Sequence, residues 1–249
     1  MRTFYVLMAV ASLATSFCAS KPSGIIEPGK RAIQLLPYQV TVEPSVFETS
    51  FFPDAIVQRD GVTIALTPEF LGNLPVSSGR ILATDPVSMR TTAFTTEFPR
   101  GRFPVELAIA RFNGDERVAF ARILFSAKPV AKWEMALIAG QKPLSIHDST
   151  YYGYSVDAGT ALFIDAEHVA GLNNHLDSQA AYEQLFIKSF EVNADSKSYR
   201  TGFLYAAQSD TLATFATGWG DGSYATYVGF DSQNRPCRLL TDFQVIPWR

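Results

Sequence analysis

Short runs in which apolar and polar residues alternate recur along most of the chain, with glycine- or proline-containing turns between them. Alternation with a period of two puts neighbouring side chains on opposite faces, which is typical of a strand with one buried face. Two long runs of this kind, 104–112 and 117–125, flank Asn113-Gly114, a dipeptide favoured in two-residue hairpin turns. The pattern predicts a β-hairpin here and a mainly β fold of antiparallel, sandwich-like sheets.

One segment, near residues 166–190, has a helical pattern instead. Asp165 stands just before it, where its side chain can cap the first turn of a helix. Later in the segment, Tyr182, Leu185 and Phe186 are spaced to share one helical face. We expect this inserted helical segment to pack on a sheet, which makes the fold α+β at most.

A glycine-rich stretch, residues 217–224, separates the strand-like runs 211–217 and 224–230. Asp221-Gly222, within this stretch, is also favoured at the tip of a hairpin. We therefore expect a second hairpin here, extended to a three-stranded meander by the run 237–246.

The 249 residues are 47% hydrophobic and 18% charged, which is enough apolar material for a core. The sequence divides into a signal peptide (1–20), a linker containing several Pro and Gly residues (21–40) and a single β-rich domain (41–249). Domains built from β-strands often reach about 200 residues, so no further division is needed.

The N-terminus has the order of a secretory signal peptide: Arg2, an apolar run over residues 4–14, and small residues before Lys21-Pro22. The apolar run is shorter than the roughly 20 residues that a membrane-spanning helix needs. We expect a bacterial protein that is periplasmic or secreted. Cys18 leaves open a lipoprotein anchored through that cysteine, and membrane association is expected only in that case.

The charge and the motifs exclude several classes of function. The net charge is −3 and Lys and Arg do not cluster, so nucleic-acid binding is not expected. The sequence has no phosphate-binding glycine loop with its Lys, no His-Glu-x-x-His, no paired-cysteine metal motif and no Gly-x-Ser-x-Gly. We therefore predict no cofactor and no metal, and expect an unidentified protein or small molecule as the partner.

The histidines and the second cysteine give no chemical signal. His147, His168 and His175 are not spaced as metal ligands, so we expect them at the surface or at helix caps. Cys237 lies in a strand-like run and is expected to be a small buried hydrophobic residue.

Carboxylates near turns are the remaining candidates for chemistry. Asp157 and Asp221 each lie close to glycine and aromatic residues. Two carboxylates about 5–10 Å apart can act as acid and base on a sugar; they can hold a hard cation, or each can be only a turn residue. Glu106 stands beside alanines and is expected to reach a partner, either a structural arginine or a site. The candidate binding residues are Tyr154, Trp219, Gly220 and Gly222.

A series of motifs in order resembles one protein family. The motifs are residues 78–86 (SGRILATDP), 104–108 (PVELA), 133–136 (WEMA), 154–159 (YSVDAG), 218–223 (GWGDGS) and 241–243 (TDF). Together they resemble the bacterial domain-of-unknown-function family numbered 4241, over roughly residues 75–245. The resemblance implies a single domain and adds interest to Asp157 and Asp221, but it supplies no mechanism.

Two functional hypotheses follow from these observations. The first is a non-enzymatic, exported binding or interaction protein, because catalytic motifs are absent and the turns are rich in aromatic residues. The alternative is a small hydrolase that uses Asp157 and Asp221, with Tyr154 and Trp219 as platforms for a substrate. The sequence leaves open whether the protein is an enzyme.

Overall fold

The computed structural model describes residues 24–248, except residues 32, 34, 36, 37, 177, 192–198 and 208–209. The predicted signal peptide and Cys18 lie outside the described residues. The fold is mainly β, built from antiparallel sheets with three short α-helices in the described part. The predicted fold class is therefore confirmed. No helix in the described part is long and apolar enough to cross a membrane.

The smaller sheet has five antiparallel strands within the described residues. They are β1 (Gly24–Ile26), β4 (Ile81–Thr84), β9 (Thr160–Asp165), β10 (Gly202–Ala207) and β11 (Asp210–Ala216). Their order across the sheet is β1-β10-β11-β9-β4. The strand β1 comes from the region 21–40 that the sequence predicts to be a linker, and it pairs with β10.

The larger sheet curls into half a barrel. Its strands within the described residues are β2 (Ala55–Arg59), β3 (Val62–Val76), β5 (Gly101–Phe112), β6 (Asp115–Leu124), β7 (Lys132–Met135), β8 (Gly153–Val156), β12 (Gly222–Phe230) and β13 (Pro236–Asp242). The order is β2-β3-β5-β6-β13-β12-β7, and β8 also pairs with β12. Strands β8 and β7 thus occupy successive parts of one edge of β12.

The predicted hairpin around Asn113-Gly114 is confirmed. Strands β5 and β6 pair antiparallel, with Phe112 opposite Asp115. The two turn residues have positive φ angles, 50° at Asn113 and 77° at Gly114, as a two-residue turn of this hand requires.

The predicted second hairpin is wrong. Strand β11 lies in the smaller sheet and β12 in the larger one, so residues 217–221 cross between sheets. Only the pairing of β12 with β13 follows the expected meander. Gly218 explains the glycine-rich sequence, because its φ is 21° and an added Cβ would meet the carbonyl oxygen of Phe243 at 2.7 Å. The glycines serve a close crossing rather than a hairpin tip.

The two sheets bury a shared core between them. Phe163 of β9 and Phe215 of β11 point toward the larger sheet, with ring centroids 4.9 Å apart. Phe243, just after β13, lies 6.0 Å from Phe215. This contact joins the two sheets, and the sandwich-like packing follows from it.

The inserted helical segment near 166–190 is confirmed. A short 3-10 helix (Ala166–His168), α2 (Val169–His175) and α3 (Gln179–Phe186) cover the other face of the smaller sheet. Asp165 caps the first of these, since its carboxylate accepts a hydrogen bond from the Glu167 amide at 2.9 Å. The buried residues of this second core include Leu82, Leu162, Ile164, Leu172, Leu185 and Phe186.

A third layer covers the face of the larger sheet that points away from the smaller sheet. The helix α1 (Val46–Thr49) inserts Phe47 there, and its ring lies 5.1 Å from Trp133, 5.0 Å from Tyr227 and 4.9 Å from Trp248. This aromatic cluster anchors both α1 and the C-terminal residues to the sheet.

Candidate functional site

Pairing of β8 with β12 brings together the two sequence stretches that contain Asp157 and Asp221. Val156 pairs with Gly222, so the loops that follow and precede these residues lie side by side. The Asp221 carboxylate accepts a hydrogen bond from the Gly159 amide at 3.1 Å. Both aspartates are exposed. The tertiary structure therefore makes neighbours of two loops that are more than 60 residues apart in sequence.

The loop that carries Asp157 is held by a buried carboxylate that the sequence reasoning did not single out. Asp85 accepts hydrogen bonds from the amides of Val87 at 2.6 Å and Ser88 at 2.9 Å. Its other oxygen accepts from the amides of Asp157 and Ala158, both at 2.9 Å. Four amide donors compensate the burial of this charge. The backbone of Asp157 thus has a structural role, and its side chain remains exposed.

Trp219, in the segment 217–221 that crosses between the sheets, is half exposed. The Arg117 guanidinium lies 5.3 Å from the centroid of its ring, a cation–π geometry, and Phe112 packs edge-on at 6.1 Å. The indole N–H donates to the Gln244 carbonyl oxygen at 3.3 Å. These contacts fix one face of the indole against the end of the β5–β6 hairpin.

The other candidate binding residues lie in this segment or in the strands β8 and β12 next to it. Tyr154 is buried in the core, and burial raises the pKa of its hydroxyl, so its ring does not face solvent. Gly220 has a φ of 92° with open space where a Cβ would stand. Its carbonyl oxygen accepts a hydrogen bond from the Tyr224 hydroxyl at 2.8 Å. Gly222, with a φ of 158°, begins β12.

Glu106 belongs to a buried ionic cluster on the face of the larger sheet that points away from the smaller sheet. Arg122 donates to the Glu106 carboxylate at 2.8 and 3.1 Å and to that of Glu48 at 3.2 Å. Arg238 donates to both oxygens of Glu48 at 3.0 Å. Arg31, which is partly exposed, also lies 3.3 Å from the Glu106 carboxylate. The two carboxylates are therefore compensated by the buried Arg122 and Arg238 and by Arg31 at the edge of the cluster. Of the two expectations for Glu106, the structural arginine is the one that the geometry supports.

Glu48 is the centre of this cluster and was not identified from the sequence. Burial alone would raise the pKa of Glu48, but the guanidinium groups of Arg122 and Arg238 hold this pKa below its usual value. The Tyr38 hydroxyl also donates to its carboxylate. The cluster is almost completely buried, so it stabilises the fold rather than forming an open site.

One cavity with both aromatic and polar lining residues lies between β12, β13 and the residues that follow β13. It has a volume of about 280 Å³. Its lining residues are Ser149, Tyr151, Ala225, Tyr227, Asp242, Gln244, Ile246, Pro247 and Trp248. We call it the Asp242 cavity. Neither Asp157 nor Asp221 lines it.

Hydrogen bonds fix the polar side of the Asp242 cavity. The Asp242 carboxylate accepts hydrogen bonds from the Trp248 indole N–H at 2.8 Å and from the backbone N–H of Gln244 at 2.7 Å. The side-chain amide of Gln244 donates to the Tyr151 hydroxyl at 2.9 Å and to the Ser223 carbonyl oxygen at 3.1 Å. The Gln244 backbone is held at a φ of 58°, a conformation that a residue with a side chain rarely adopts. Strained residues held by several hydrogen bonds are frequent at binding sites.

The Asp242 cavity was missed from the sequence for a physical reason. Its rings and polar groups come from three places, a loop before β8, the strands β12 and β13, and the C-terminal residues. Each looks like ordinary core or turn sequence by itself. In the described part of the chain, no three His, Cys, Asp or Glu side chains group as metal ligands.

Comparison with known proteins gives one match. Residues 74–241 match the sequence model of a family described as Protein of unknown function (DUF4241). The chain belongs to this family. No curated protein and no solved structure matches it.

The DUF4241 span covers only part of the Asp242 cavity. Tyr151 and Tyr227 lie inside the matched residues, whereas Asp242, Gln244 and Trp248 follow its last residue. The loops of Asp157 and Asp221 and their anchor Asp85 lie inside it. The cavity is therefore a property of this chain, and the family match covers only part of its lining.

Proposed function

We propose that this protein binds a small hydroxylated ligand, about the size of a monosaccharide, in the Asp242 cavity. The supporting observation is the combination of aromatic rings with hydrogen-bonding groups in a concave space of about 280 Å³. Protein sites for small molecules typically have this combination, and a volume near the lower end of their range favours a small ligand.

The polar groups favour a neutral ligand with hydroxyl groups. The Asp242 carboxylate can accept hydrogen bonds and the Ser149 hydroxyl can donate or accept them, while Gln244 has an amide oxygen as a further acceptor. Tyr151 and Trp248 offer ring surface for the apolar face of a sugar ring. A hydroxylated ring compound can use both kinds of contact at once.

Binding without hydrolysis is the form of this proposal that the geometry favours. Hydrolysis of a glycoside by an acid–base pair needs two carboxylates about 5–10 Å apart. Asp242 is the carboxylate among the residues that line the cavity. We therefore expect the ligand to be released unchanged.

Saturation-transfer NMR and calorimetry with a panel of monosaccharides test this proposal. We expect one or more of them to bind, and Tyr151→Ala to weaken that binding at least about tenfold, the effect of losing roughly 1.4 kcal/mol of contact. Tyr199→Ala is the matched control, because Tyr199 is 66% exposed and does not line this cavity. Equal affinities for the wild type and Tyr151→Ala would contradict the site, and selective binding of small cationic amines would contradict the ligand class.

The hydrolase that uses Asp157 and Asp221 remains as a second proposal. Its support is the pairing of β8 with β12, which places the two loops side by side. Replacement of both residues, Asp157→Asn with Asp221→Asn, would then abolish a hydrolytic activity that the wild type has. A variant that retains the activity in full would end this proposal.

We also propose that the protein is exported, on the pattern of Arg2 and the apolar run 4–14. Mass spectrometry of the mature N-terminus in the native host tests it. Cleavage near residues 18–20 is the expected result. A lipid mass on Cys18 would favour the anchored form, and an intact N-terminus would contradict export.

A further inference from the structure

Three side chains outside the Asp242 cavity form a hydrogen-bonded line. Ser77 follows the end of β3, His168 ends the 3-10 helix after β9, and Asp210 begins β11. The Ser77 Oγ lies 3.4 Å from His168 Nε2. On the opposite side of the imidazole, His168 Nδ1 lies 2.8 Å from Asp210 Oδ1. The order hydroxyl, imidazole, carboxylate is that of an activated serine nucleophile.

The exposure of the three groups suits this role. Ser77 is exposed, so a substrate can reach its hydroxyl. The side chains of His168 and Asp210 are each 15% exposed, so water screens their interaction only partly. A contact of 3.4 Å is long for a hydrogen bond, as is common for a nucleophile and its base in the absence of substrate.

The surrounding fold holds the three residues in place. The Asp165 carboxylate accepts hydrogen bonds from the amides of Ser77 at 2.9 Å and Ser78 at 3.0 Å, which fixes the turn that carries the hydroxyl. Gly171 of α2 leaves room for Asp210, since a Cβ atom there would overlap its carboxylate. The helix and β11 can therefore approach closely enough for the contact between His168 and Asp210.

We propose that Ser77 is the nucleophile of an acyl-transfer site, with His168 as its general base and Asp210 as the positioning residue. Its substrates would be small esters whose carbonyl group can reach the Ser77 hydroxyl at the protein surface. All three residues lie within the span that matches the DUF4241 family.

The reaction balances with water as the second substrate. The Ser77 oxygen bonds to the ester carbonyl carbon while its proton passes to His168 Nε2. The bond from that carbon to the alkoxy oxygen breaks, and His168 returns the proton to the leaving alcohol. Water then adds to the acyl-serine with the same base, releasing a carboxylic acid and the free hydroxyl.

Two contacts limit which esters can react and determine how the Ser77 hydroxyl is hydrogen-bonded before a substrate binds. The amide of Ser78, next to the nucleophile, donates to Asp165 and so does not point at a developing oxyanion. Without that stabilisation, reaction should be restricted to esters with good leaving groups, such as aryl esters. The Ser77 hydroxyl also lies 2.9 Å from the Glu167 carboxylate, closer than to His168. Glu167 therefore competes with His168 for the serine proton.

Covalent labelling with a fluorophosphonate tests the nucleophile directly. In this reaction the serine oxygen displaces fluoride from phosphorus, and mass spectrometry identifies the modified residue. We expect labelling at Ser77 and hydrolysis of p-nitrophenyl acetate, both reduced at least about 100-fold in Ser77→Ala. Ser78→Ala is the matched control, one residue away, and should keep both. Absence of labelling in wild-type protein, or equal labelling of Ser77→Ala, would overturn the proposal.

Two further variants identify the base. His168→Gln should lower the labelling rate at least about 100-fold, with an unchanged circular dichroism spectrum as the check on folding. Glu167→Gln should retain or raise the rate, because the competing carboxylate is gone. A loss of labelling in Glu167→Gln together with normal labelling of His168→Gln would contradict His168 as the base.

Conservative replacement tests the positioning role of Asp210. Its carboxylate lies 2.8 Å from His168 Nδ1, on the side of the ring opposite Ser77. Asp210→Ala should lower the labelling rate at least about 100-fold. Asp210→Glu, which restores a carboxylate, should recover most of that loss, with unchanged circular dichroism spectra for both variants. Wild-type labelling in Asp210→Ala, or no recovery in Asp210→Glu, would contradict the positioning role.

Discussion

At the scale of single residues, Gly218 decides where the chain can cross between the sheets. A Cβ at this position would meet the Phe243 carbonyl oxygen at 2.7 Å and Val245 Cγ2 at 2.9 Å. Gly220, two residues further on, also has a positive φ, 92°, but open space where a Cβ would stand. Gly218 is therefore required by both its backbone conformation and its close contacts, whereas Gly220 is required by its backbone conformation alone.

This difference gives a prediction for the two glycines. Gly218→Ala should lower the free energy of unfolding by about 2–4 kcal/mol, since backbone strain and overpacking both act there. Gly220→Ala should lower it by only about 1–2 kcal/mol, from backbone strain alone. Urea denaturation measures both. Equal losses would show that the close approach to Phe243 has no energetic weight.

Cys237 gives a second prediction at this scale. The thiol is buried and donates to the Gly229 carbonyl oxygen at 3.3 Å, and burial raises its pKa to about 11. At pH 8 the folded thiol is then about 100-fold less ionised than an ordinary one. Iodoacetamide should modify Cys237 only after unfolding, as peptide mass spectrometry can follow. Rapid modification of the folded protein at pH 8 would contradict this burial.

At the scale of elements, the four-residue helix α1 carries both an aromatic and an ionic anchor. Phe47 enters the aromatic cluster and the next residue, Glu48, enters the ionic cluster with Arg122 and Arg238. Such a short helix is not stable alone. Its place in the fold therefore depends on these two side chains.

The ionic anchor can be tested by removing its central charge. Glu48→Gln leaves Arg122 and Arg238 undercompensated in the core and should destabilise the protein by about 3–5 kcal/mol at neutral pH. Glu134→Gln is a suitable control, because Glu134 pairs with Lys132 at the surface and such pairs contribute at most about 1 kcal/mol. A loss of less than about 1 kcal/mol for Glu48→Gln would contradict the role of the cluster.

The same carboxylate predicts a pH dependence. The pKa of Glu48 in the folded protein is held below the usual glutamate value. Its ionised form therefore contributes fully to the free energy of unfolding above the unfolded pKa of about 4.3. This contribution is lost as the pH falls through the folded pKa. The free energy of unfolding should therefore decrease below about pH 4, and less steeply in Glu48→Gln. If the free energy of unfolding decreased equally in the wild type and Glu48→Gln as the pH falls, this would contradict a lowered pKa of Glu48.

At the scale of the whole molecule, one core links both sheets and the C-terminal residues. Phe215 and Phe243 join the sheets, and Trp248 contacts Phe47 and Tyr227 on the face of the larger sheet away from the smaller one. The smaller sheet shares a second core with the helices, so no layer is independent of its neighbour.

This continuity predicts a single cooperative unfolding transition. Tryptophan fluorescence reports on Trp133 in β7, on Trp248 after β13 and on Trp219 between the two sheets, while far-ultraviolet circular dichroism reports on all strands and helices. The two signals should give the same denaturation midpoint. Separate midpoints would indicate two domains instead of one.

The sequence by itself determined the class of the fold and the local elements. Alternation of apolar residues, the Asn113-Gly114 turn and the Asp165 cap are signals between residues close together in the chain, and all three were read correctly. Local signals suffice where the interacting groups are a few residues apart, because chain geometry alone brings them together.

The tertiary structure alone decided which surfaces meet. It placed β11 and β12 in different sheets, paired Glu106 with Arg122, and placed Ser77 beside His168. It also assembled the Asp242 cavity from separate loops. None of these pairs has a spacing pattern in the sequence, because sheet assignment and side-chain contact depend on burial of the whole apolar surface rather than on any local run of residues.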